Sequence, residues 1–160
     1  MTRYDRRCFL LASVAVAAAP GVALAADPYA ASPFRRLTQA QWRGRLSPKA
    51  FAVLREEATE RPGSSPLLAE HRAGSFLCAG CGLPLFNARA KYESGTGWPS
   101  FYTHIKGSIA TKKDFAIGVP RTEYHCARCL GHQGHVFDDG PRPTGLRYCN
   151  NGVALKFAPA

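Results

Sequence analysis

The sequence predicts a mainly β protein, in which antiparallel sheets form a barrel-like body preceded by a short N-terminal helical arm. With 160 residues, the chain has room for one domain and an appendage. Its fifteen glycines and twelve prolines disfavour a helix bundle, because helix interiors exclude both residues. From residue 74 onward, short apolar runs alternate with Gly, Pro, Asn and Asp, which is typical of short strands joined by tight turns.

Residues 1–25 predict a cleaved export signal. Arg6 and Arg7 precede an apolar run over residues 8–19, and Ala23-Leu24-Ala25 offers the small residues that a signal peptidase reads. The segment resembles a twin-arginine signal, and an ordinary secretory signal with a chance arginine pair is the alternative. We therefore expect export to a bacterial periplasm. We expect no stable membrane insertion, because the apolar run is too short to span a bilayer.

The charge of the chain admits a nucleic-acid-binding interpretation, which the expected location weakens. The formal net charge is +10 at pH 7. Loss of residues 1–25 would leave +8, since that segment holds three arginines and one aspartate. The periplasm is oxidising and contains essentially no nucleic acid, so we expect no nucleic-acid partner.

The mature chain is predicted to begin with a linker and two short helices. Residues 26–36 are rich in Ala, Pro and Ser and indicate the linker. Thr38 and Gln41 have capping-box spacing, and Ser47-Pro48 starts a second helix that we expect to end near Arg61-Pro62. Apolar runs then predict five strands: Ser75–Cys78, Phe101–Ile105, Phe115–Val119, His135–Phe137 and Val153–Phe157.

Four cysteines form two Cys-x-x-Cys pairs, Cys78 with Cys81 and Cys126 with Cys129. Two such pairs supply the four sulfur ligands of a tetrahedral structural zinc site, with Zn–S bonds of ~2.3 Å. Two disulfides, or two thioredoxin-like redox pairs, are the alternatives. We favour one structural zinc per chain because both pairs share one spacing. A closed set of four sulfurs leaves no position for catalysis.

Cys149 is the remaining cysteine of the mature chain, and its polar neighbours indicate a reactive thiol rather than an inert buried one. If residues 147–151 are extended, Arg147 and Asn151 lie on the same side as Cys149. A neighbouring cation stabilises a thiolate, so we expect Arg147 to favour the nucleophilic form. His132 and His135 are three residues apart between glycines. They suit proton donation near Cys149, with metal ligation or a structural role as alternatives.

Two aromatic residues complete the set of candidate site residues. Trp98 lies between Gly97 and Pro99, which places it on a turn. An indole on a loop is either a plug of the core or the wall of an apolar pocket, and spacing alone does not choose between them. Trp98 and Phe137 together would cradle a small apolar group, and sulfur beside aromatic rings is favourable.

The chain resembles the methionine-R-sulfoxide reductases of the B type. The resemblance covers about residues 37–158, and we place the domain at residues 37–160. The motifs stand in the order found in that family: Cys78-x-x-Cys81, Gly97-Trp98-Pro99-Ser100-Phe101, Cys126-x-x-Cys129, Gly134-His135-Val136-Phe137 and Arg147-Tyr148-Cys149-x-Asn151.

The resemblance implies a mostly antiparallel β fold, a structural four-cysteine zinc and reduction of methionine-R-sulfoxide to methionine. It implies that Cys149 is the nucleophile, which becomes a sulfenic acid when it takes up the sulfoxide oxygen. The other roles also follow from the resemblance. Trp98 and Phe137 hold the substrate methyl group, His132, His135 and Asn151 bind the sulfoxide oxygen directly or through water, and Arg147 supports the thiolate.

Thr96 departs from the family pattern, because many members carry a second, resolving cysteine at this position. We therefore expect no intramolecular disulfide during turnover, and an external thiol or thioredoxin-like protein as reductant. We expect oxidised periplasmic proteins as the main substrates and a monomeric enzyme. The alternatives are a basic zinc-ribbon binding module, which would show salt-dependent DNA binding, and a thiol peroxidase, which would also need one reactive cysteine.

Overall fold

The computed structural model describes residues 27–160, so the predicted export signal lies outside the described residues. Two α-helices, α1 (Gln39–Arg43) and α2 (Pro48–Glu56), precede the strands, and four 3-10 turns join the elements. None of the described helices is long and apolar enough to cross a membrane. The strands are β1 (Gly74–Cys78), β2 (Pro84–Asn87), β3 (Lys91–Tyr92), β4 (Ser100–Phe101), β5 (Ile109–Asp114), β6 (Arg121–Cys126), β7 (His132–Phe137), β8 (Arg147–Asn150) and β9 (Leu155–Pro159).

The strands form two antiparallel sheets, which confirms the predicted mainly β fold. One sheet has three strands in the order β2-β1-β9, and the other has six in the order β3-β4-β8-β7-β6-β5. Large aromatic side chains fill the core. Phe86 stacks on Phe101 with ring centroids 4.1 Å apart, and Phe76 meets the edge of Phe101 at 5.0 Å. Because four of the five catalytic candidates lie on β7 and β8, the centre of the larger sheet positions them.

The helix starts are as predicted, but the end of α2 is not. Thr38 and Gln41 form the expected capping box, and the Ser47 hydroxyl accepts a hydrogen bond from the backbone N–H of Ala50. The prediction that α2 ends near Arg61-Pro62 is wrong. Glu57 adopts a left-handed conformation with φ of 57° and ends the helix several residues earlier.

The segment that the sequence indicates as a linker contacts the body over its described part. Residues Pro33–Arg36 form a 3-10 helix. The Phe34 ring stacks on Trp42 with centroids 6.3 Å apart, and the Arg35 guanidinium donates a hydrogen bond of 2.6 Å to the carbonyl of Ala127. These contacts place the segment beside the second Cys-x-x-Cys pair.

Two of the five predicted strands are misplaced. Phe115–Val119 is not a strand but the connection between β5 and β6, and its large apolar side chains are exposed. In Phe101–Ile105, only Phe101 belongs to a strand. The strands that the prediction missed include β5, whose sequence IATKKD lacks an apolar run because the strand is an edge strand with its side chains mostly in solvent.

Candidate active site and metal centre

The four paired cysteines converge in a compact cluster. Their sulfur atoms all lie within 4.8 Å of one another. The Cys78 and Cys129 sulfurs are 3.6 Å apart, and those of Cys81 and Cys126 are 3.5 Å apart. A disulfide bond needs a separation of about 2.05 Å, so neither pair is bonded. The separations suit a tetrahedron of sulfurs, whose edge is about 3.8 Å for Zn–S bonds of about 2.3 Å.

The two pairs have the same local structure, although they lie in different sheets. The N–H of Gly82 bonds to the carbonyl of Cys78 at 2.8 Å, and the N–H of Leu130 bonds to the carbonyl of Cys126 at 2.9 Å. Gly82 and Leu130 both have positive φ values, 72° and 60°. The repeated turn aims two sulfurs from each pair at one point. Leu130 adopts a conformation that favours glycine, which indicates that the second turn is held by its surroundings.

Hydrogen-bond donors and neighbouring elements surround this cluster. The Gln133 amide donates to the Cys78 sulfur at 3.4 Å, and the Arg128 guanidinium donates to the Cys81 sulfur at 3.4 Å. Arg55 of α2 donates to the carbonyl of Cys129 at 3.0 Å. Four sulfur ligands with these hydrogen-bond donors suit a metal ion that prefers sulfur. The four sulfurs would fill a tetrahedral coordination sphere and leave no position open. A metal there would join the end of β1 to the end of β6 and so connect the two sheets.

Cys149 lies in the larger sheet, away from that cluster. On β8 it is paired with Ser100 of β4 on one side and His135 of β7 on the other. Its side chain borders a cavity of about 130 Å³. The cavity is lined by residues from five segments: Thr59, Trp98, Arg121, Gly134, His135, Phe137, Cys149, Asn150 and Asn151. Five of the seven residues that the sequence analysis assigned to catalysis and substrate binding therefore share one cavity.

The surroundings of Cys149 shift the pKa of its thiol in opposite directions. Burial raises the pKa of the Cys149 thiol, while the charge of Arg147 and the hydroxyl of Thr96 act to lower it. Burial is the largest effect, so the pKa of the free thiol lies above its usual range. Arg147 therefore acts in the expected direction, but burial has the larger effect on the pKa of Cys149.

Arg147 supports Phe137, which forms one wall of the cavity. Its guanidinium makes two hydrogen bonds to Asp139, at 2.7 and 2.8 Å, and lies 4.3 Å from the centre of the Phe137 ring. The two hydrogen bonds to Asp139 fix the planar guanidinium against the face of the Phe137 ring, as a cation–π contact requires. Arg147 thus orients Phe137 and places positive charge near Cys149.

A loop holds Trp98 on another wall. The indole N–H donates to the carbonyl of Glu60 at 3.2 Å, and the N–H of Gly63 bonds to the carbonyl of Gly97 at 2.8 Å. Gly97 has φ of 88°, and a Cβ there would lie 2.8 Å from the Cβ of Pro62. The segment after α2 therefore packs closely on the Trp98 loop. Trp98 is a wall of the cavity and not a plug of the core.

The two histidines have different environments. His135 borders the cavity, and its Nε2 lies 2.7 Å from a carboxylate oxygen of Asp114, which also binds Arg121 at 2.6 Å. Burial lowers the pKa of His135, and the hydrogen bond to Asp114 partly opposes this shift. Since an ionised carboxylate only accepts hydrogen bonds, Nε2 carries a proton and Nδ1 is the atom left for a substrate.

His132 is buried beside His135 and is not among the residues that line the cavity. The two ring centroids are 5.5 Å apart. His132 Nδ1 lies 2.7 Å from Glu123, a buried carboxylate that also binds His125 at 3.1 Å. Burial opposes ionisation of Glu123, but its two histidine partners outweigh it and lower its pKa to about 2. The Nε2 atom of His132 has no hydrogen-bond partner.

Asn151 lines the cavity, but both ends of its amide are engaged with the backbone. Its oxygen accepts from the N–H of Glu60 at 2.9 Å, and its nitrogen donates to the carbonyl of Gln133 at 3.0 Å. The side chain therefore fixes the loop after β8 to β7. An interaction with a substrate oxygen would use the remaining capacity of this amide.

Several neighbours of the site were not identified from the sequence. They are Asp114, Arg121, Glu123 and Asp139, which hold the histidines and Arg147. The sequence holds a signal for Arg121 and Glu123. They stand at alternate positions of the run Arg121-Thr122-Glu123-Tyr124-His125, so they share one face of β6 with His125. A larger cavity of about 690 Å³ between α2 and residues 152–155 contains no cysteine or histidine, so size alone does not indicate the reactive site.

Comparison with known proteins agrees with this geometry. The SelR domain matches residues 46–159. A peptide methionine sulfoxide reductase MsrB from Bradyrhizobium diazoefficiens is 54% identical over 123 residues, which are 76% of this chain and 88% of the relative. MsrB proteins from Thiobacillus denitrificans and Leptospira interrogans are 50% and 49% identical, covering 76% and 72% of this chain and 93% and 89% of theirs.

The fold and the domain match thus define a SelR-domain protein whose four clustered cysteines suit a metal ion. The chain belongs to the peptide methionine sulfoxide reductase B family, as the sequence motifs predicted.

Proposed function

We propose that this protein reduces methionine-R-sulfoxide, mainly in oxidised polypeptides, to methionine. The observation that carries the proposal is the cavity in which Cys149 faces His135, Trp98 and Phe137 in a chain of this family. The cavity combines a nucleophile, a proton donor and two aromatic walls. A methyl sulfoxide needs each of these, because its sulfur is electrophilic only when its oxygen is protonated or strongly hydrogen-bonded.

In the first step, the Cys149 thiolate attacks the sulfoxide sulfur. An S–S bond forms between Cys149 and the substrate sulfur as the imidazolium of His135 protonates the sulfoxide oxygen. The hydroxyl group then passes from the substrate sulfur to the Cys149 sulfur as the S–O and S–S bonds break, and one electron pair stays on the substrate sulfur, which leaves methionine and a Cys149 sulfenic acid. The sulfoxide is reduced by two electrons to methionine, and the cysteine is oxidised by two electrons. Trp98 and Phe137 hold the methyl group, so that the oxygen points toward His135.

In the second step, an external thiol attacks the sulfenic acid. One water leaves, and a mixed disulfide forms between Cys149 and the reductant. A second thiol of the reductant then releases Cys149 and leaves as a disulfide. Thr96 cannot replace this second thiol, and no other cysteine of the described residues lies outside the four-sulfur cluster. The balanced reaction consumes one sulfoxide and two thiols and yields one methionine, one disulfide and one water.

Cys78, Cys81, Cys126 and Cys129 would hold zinc. When bound, zinc supplies a structural cross-link, because four thiolate ligands leave no position for substrate or water. The protein side chains around it, Gln133 and Arg128, donate hydrogen bonds that stabilise negative charge on the sulfurs.

We place the enzyme in the periplasm, where it repairs oxidised proteins. The support is the sequence of residues 1–25, with its arginine pair and its small-residue cleavage site. Fractionation of cells that express the full chain, with an Arg6→Lys, Arg7→Lys variant as control, tests this location. Mature protein found in the cytoplasm with wild-type signal would contradict it.

The test of the activity is single-turnover reduction of the separated R and S epimers of a blocked methionine sulfoxide. Mature, zinc-loaded protein is compared with Cys149→Ser, with dithiothreitol as reductant and hydrogen peroxide as a second oxidant. We expect reduction of the R epimer alone, lost in the variant. A folded, zinc-replete protein that reduces neither epimer would overturn the proposal, and faster reaction with peroxide would favour a thiol peroxidase.

A further inference from the structure

Two walls of the Cys149 cavity lie on loops, and one short segment is bonded to both loops. Trp98 belongs to the loop before β4 and Asn151 to the loop after β8, so neither residue is part of a strand. Residues 59–63, which follow α2 and contribute Thr59 to the cavity, make hydrogen bonds to both loops. We call residues 59–63 the bridging segment.

The bridging segment is bonded to the Trp98 loop through its backbone. The carbonyl of Glu60 accepts the indole N–H of Trp98 at 3.2 Å, and the N–H of Gly63 donates to the carbonyl of Gly97 at 2.8 Å. One bond holds the indole itself and the other holds the loop that carries it. The position of the indole therefore follows the position of the bridging segment.

The same segment is bonded to the loop after β8 through both the backbone and the side chain of Glu60. The N–H of Glu60 donates to Asn151 Oδ1 at 2.9 Å, and its carboxylate accepts the N–H groups of Gly152 and Val153 at 2.5 and 3.1 Å. Gly152 begins a short 3-10 turn whose N-cap residue is Asn151. Because the Asn151 side chain bonds elsewhere, the Glu60 carboxylate caps this turn.

The carboxylate makes the strongest of these hydrogen bonds. A charged acceptor forms hydrogen bonds roughly twice as strong as a neutral one. Its removal would take their partner from two N–H groups at the start of the turn, one of which belongs to the buried Gly152. A Cβ at Gly152 would lie 1.9 Å from Ser65 Oγ, so the turn is closely packed. The side chain of Glu60 therefore fixes the bridging segment to the loop after β8.

We propose that Glu60 is a positioning residue, which holds Trp98 and Asn151 relative to Cys149 and so determines how strictly the cavity selects one epimer of methionine sulfoxide. This inference rests on the proposed function and adds a specificity-determining residue to it. When the sulfur, its methyl group and its side-chain carbon are held in place, the two epimers differ only in the direction of the oxygen. Selection therefore needs a fixed methyl wall and a fixed oxygen-binding group around one nucleophile.

The other groups of the cavity are held independently of Glu60. His135 and Phe137 lie on β7, inside the larger sheet. Loss of the Glu60 carboxylate should therefore loosen the methyl wall at Trp98, while the Cys149 sulfur keeps its strand and its proton donor. A reaction that needs an ordered wall should slow, whereas a reaction that needs only the nucleophile should not.

The test measures reduction of the separated R and S epimers of a blocked methionine sulfoxide by Glu60→Ala and Glu60→Gln. Glu56→Ala is the matched control, because it removes an exposed carboxylate paired with Arg43 at the end of α2. In Glu60→Ala, kcat/KM for the R epimer should fall at least about tenfold, and the preference for R over S should fall with it. Glu60→Gln should lie between, since an amide oxygen still accepts one N–H without charge. Alkylation of Cys149 by iodoacetamide should keep its wild-type rate in all three variants.

The NMR signals of the indole N–H groups give a second readout that needs no turnover. The chain has two tryptophans, and Trp42 is buried in the core at 1% exposure, so its indole serves as an internal control. In Glu60→Ala, the indole N–H of Trp98 should exchange with solvent faster than in the wild type, and that of Trp42 should not.

The outcomes separate this inference from the proposed function. Either an unchanged exchange rate at Trp98 or an unchanged preference for R, in an enzyme that reduces the R epimer, would overturn the role of Glu60 and leave the proposed function intact. Faster exchange at both indoles would overturn it as well, because Glu60 would then act on general stability. A folded, zinc-replete wild type that reduces neither epimer would overturn the proposed function and, with it, the selection of an epimer by Glu60.

Discussion

The two cysteine sites of this protein lie on either side of β7 and differ in almost every physical respect. The four-sulfur cluster includes Cys129, which comes just before β7. Cys149 lies on β8, where it is paired with His135 of β7. In the cluster, each sulfur lies within 4.8 Å of the other three. Cys149 has no second sulfur among the described residues beside it, borders a cavity and has the charge of Arg147 nearby. The comparison shows that neighbours, not the residue type, assign one site to structure and the other to chemistry.

Gln133 connects the two sites. Its side chain donates to the Cys78 sulfur, and its backbone carbonyl accepts from the N–H and the amide of Asn151. The next strand position toward Cys149 is Gly134, where a Cβ would lie 1.9 Å from the carbonyl oxygen of Cys149. Close packing in this strand means that disorder at the four-sulfur cluster would reach the cavity.

The largest expected effect is at the four-sulfur cluster. Cys126→Ser, or chelation of the metal, should abolish cooperative thermal unfolding. Structural zinc sites have apparent binding free energies of about 10–16 kcal/mol, comparable with the ~5–15 kcal/mol of total stability of a typical domain. Calorimetry and elemental analysis check this. A metal-free protein with an unchanged Tm would show that the cluster is not structural.

The second-largest expected effect is a loss of activity in a protein that keeps its fold. Cys149→Ser should lower the rate of sulfoxide reduction by at least about 10⁴-fold, as removal of a catalytic nucleophile does elsewhere. Its Tm should stay close to that of the wild type, because the substitution alters one partly exposed side chain. If Cys149→Ser instead lowered Tm as much as Cys126→Ser, the division between the two sites would be wrong.

The sequence predicted the two sites with unequal completeness, for a physical reason. The cysteine pairs were predictable because a four-ligand site needs its ligands at short, repeated spacings. Cys149, His135, Trp98 and Phe137 were singled out from local residue patterns, their roles followed from the family resemblance, and the structure brings them to one cavity. The helix starts were predictable because caps depend on adjacent residues.

The supporting residues were not predictable in the same way. Asp114 and Glu123 reach the histidines from β5 and β6 through strand pairing, which depends on the whole sheet. The apolar run Phe115–Val119 was predicted as a strand because apolar runs usually enter a core. Here the run lies on an exposed connection, so the local pattern does not reveal its position.

The third prediction concerns the cation beside the lone cysteine. Arg147→Gln should raise the pKa of Cys149 further, since the charge of Arg147 lowers it. It should also free the Phe137 ring. We expect a decrease of roughly 30-fold in single-turnover rate, of the order that a lost charge interaction of about 2 kcal/mol produces.

The pH dependence of alkylation of Cys149 by iodoacetamide separates the charge effect from a structural one. Arg147→Lys is the control, because it keeps the charge but loses the two-point contact with Asp139. Its thiol pKa should lie between those of the wild type and Arg147→Gln. An unshifted pKa in Arg147→Gln would exclude an electrostatic role for this residue.

A smaller effect is expected from Asp114. The reactive state pairs a thiolate with an imidazolium, but burial raises the pKa of Cys149 and lowers that of His135. The fraction in this state is therefore small and is greatest between the two pKa values. Asp114→Asn removes a group that raises the pKa of His135. The acid limb of kcat/KM should then move to lower pH and the plateau should fall about tenfold.

A pH profile measured on the blocked amino acid checks this effect. Glu56→Gln, which alters an exposed carboxylate paired with Arg43, is the matched control and should leave both limbs in place. Movement of the acid limb to higher pH in Asp114→Asn would assign it to a group other than His135.

The smallest effect is expected at Thr96, whose hydroxyl helps to lower the pKa of Cys149. Thr96→Val should reduce the rate only about threefold, the scale of one neutral hydrogen bond. Thr96→Cys should change the product and not the first step. After one turnover without reductant, the wild type should be heavier by one oxygen atom, whereas Thr96→Cys should be lighter by two hydrogen atoms. A disulfide in the wild type, with zinc retained, would require a cluster cysteine to react and would end the separation between the two sites.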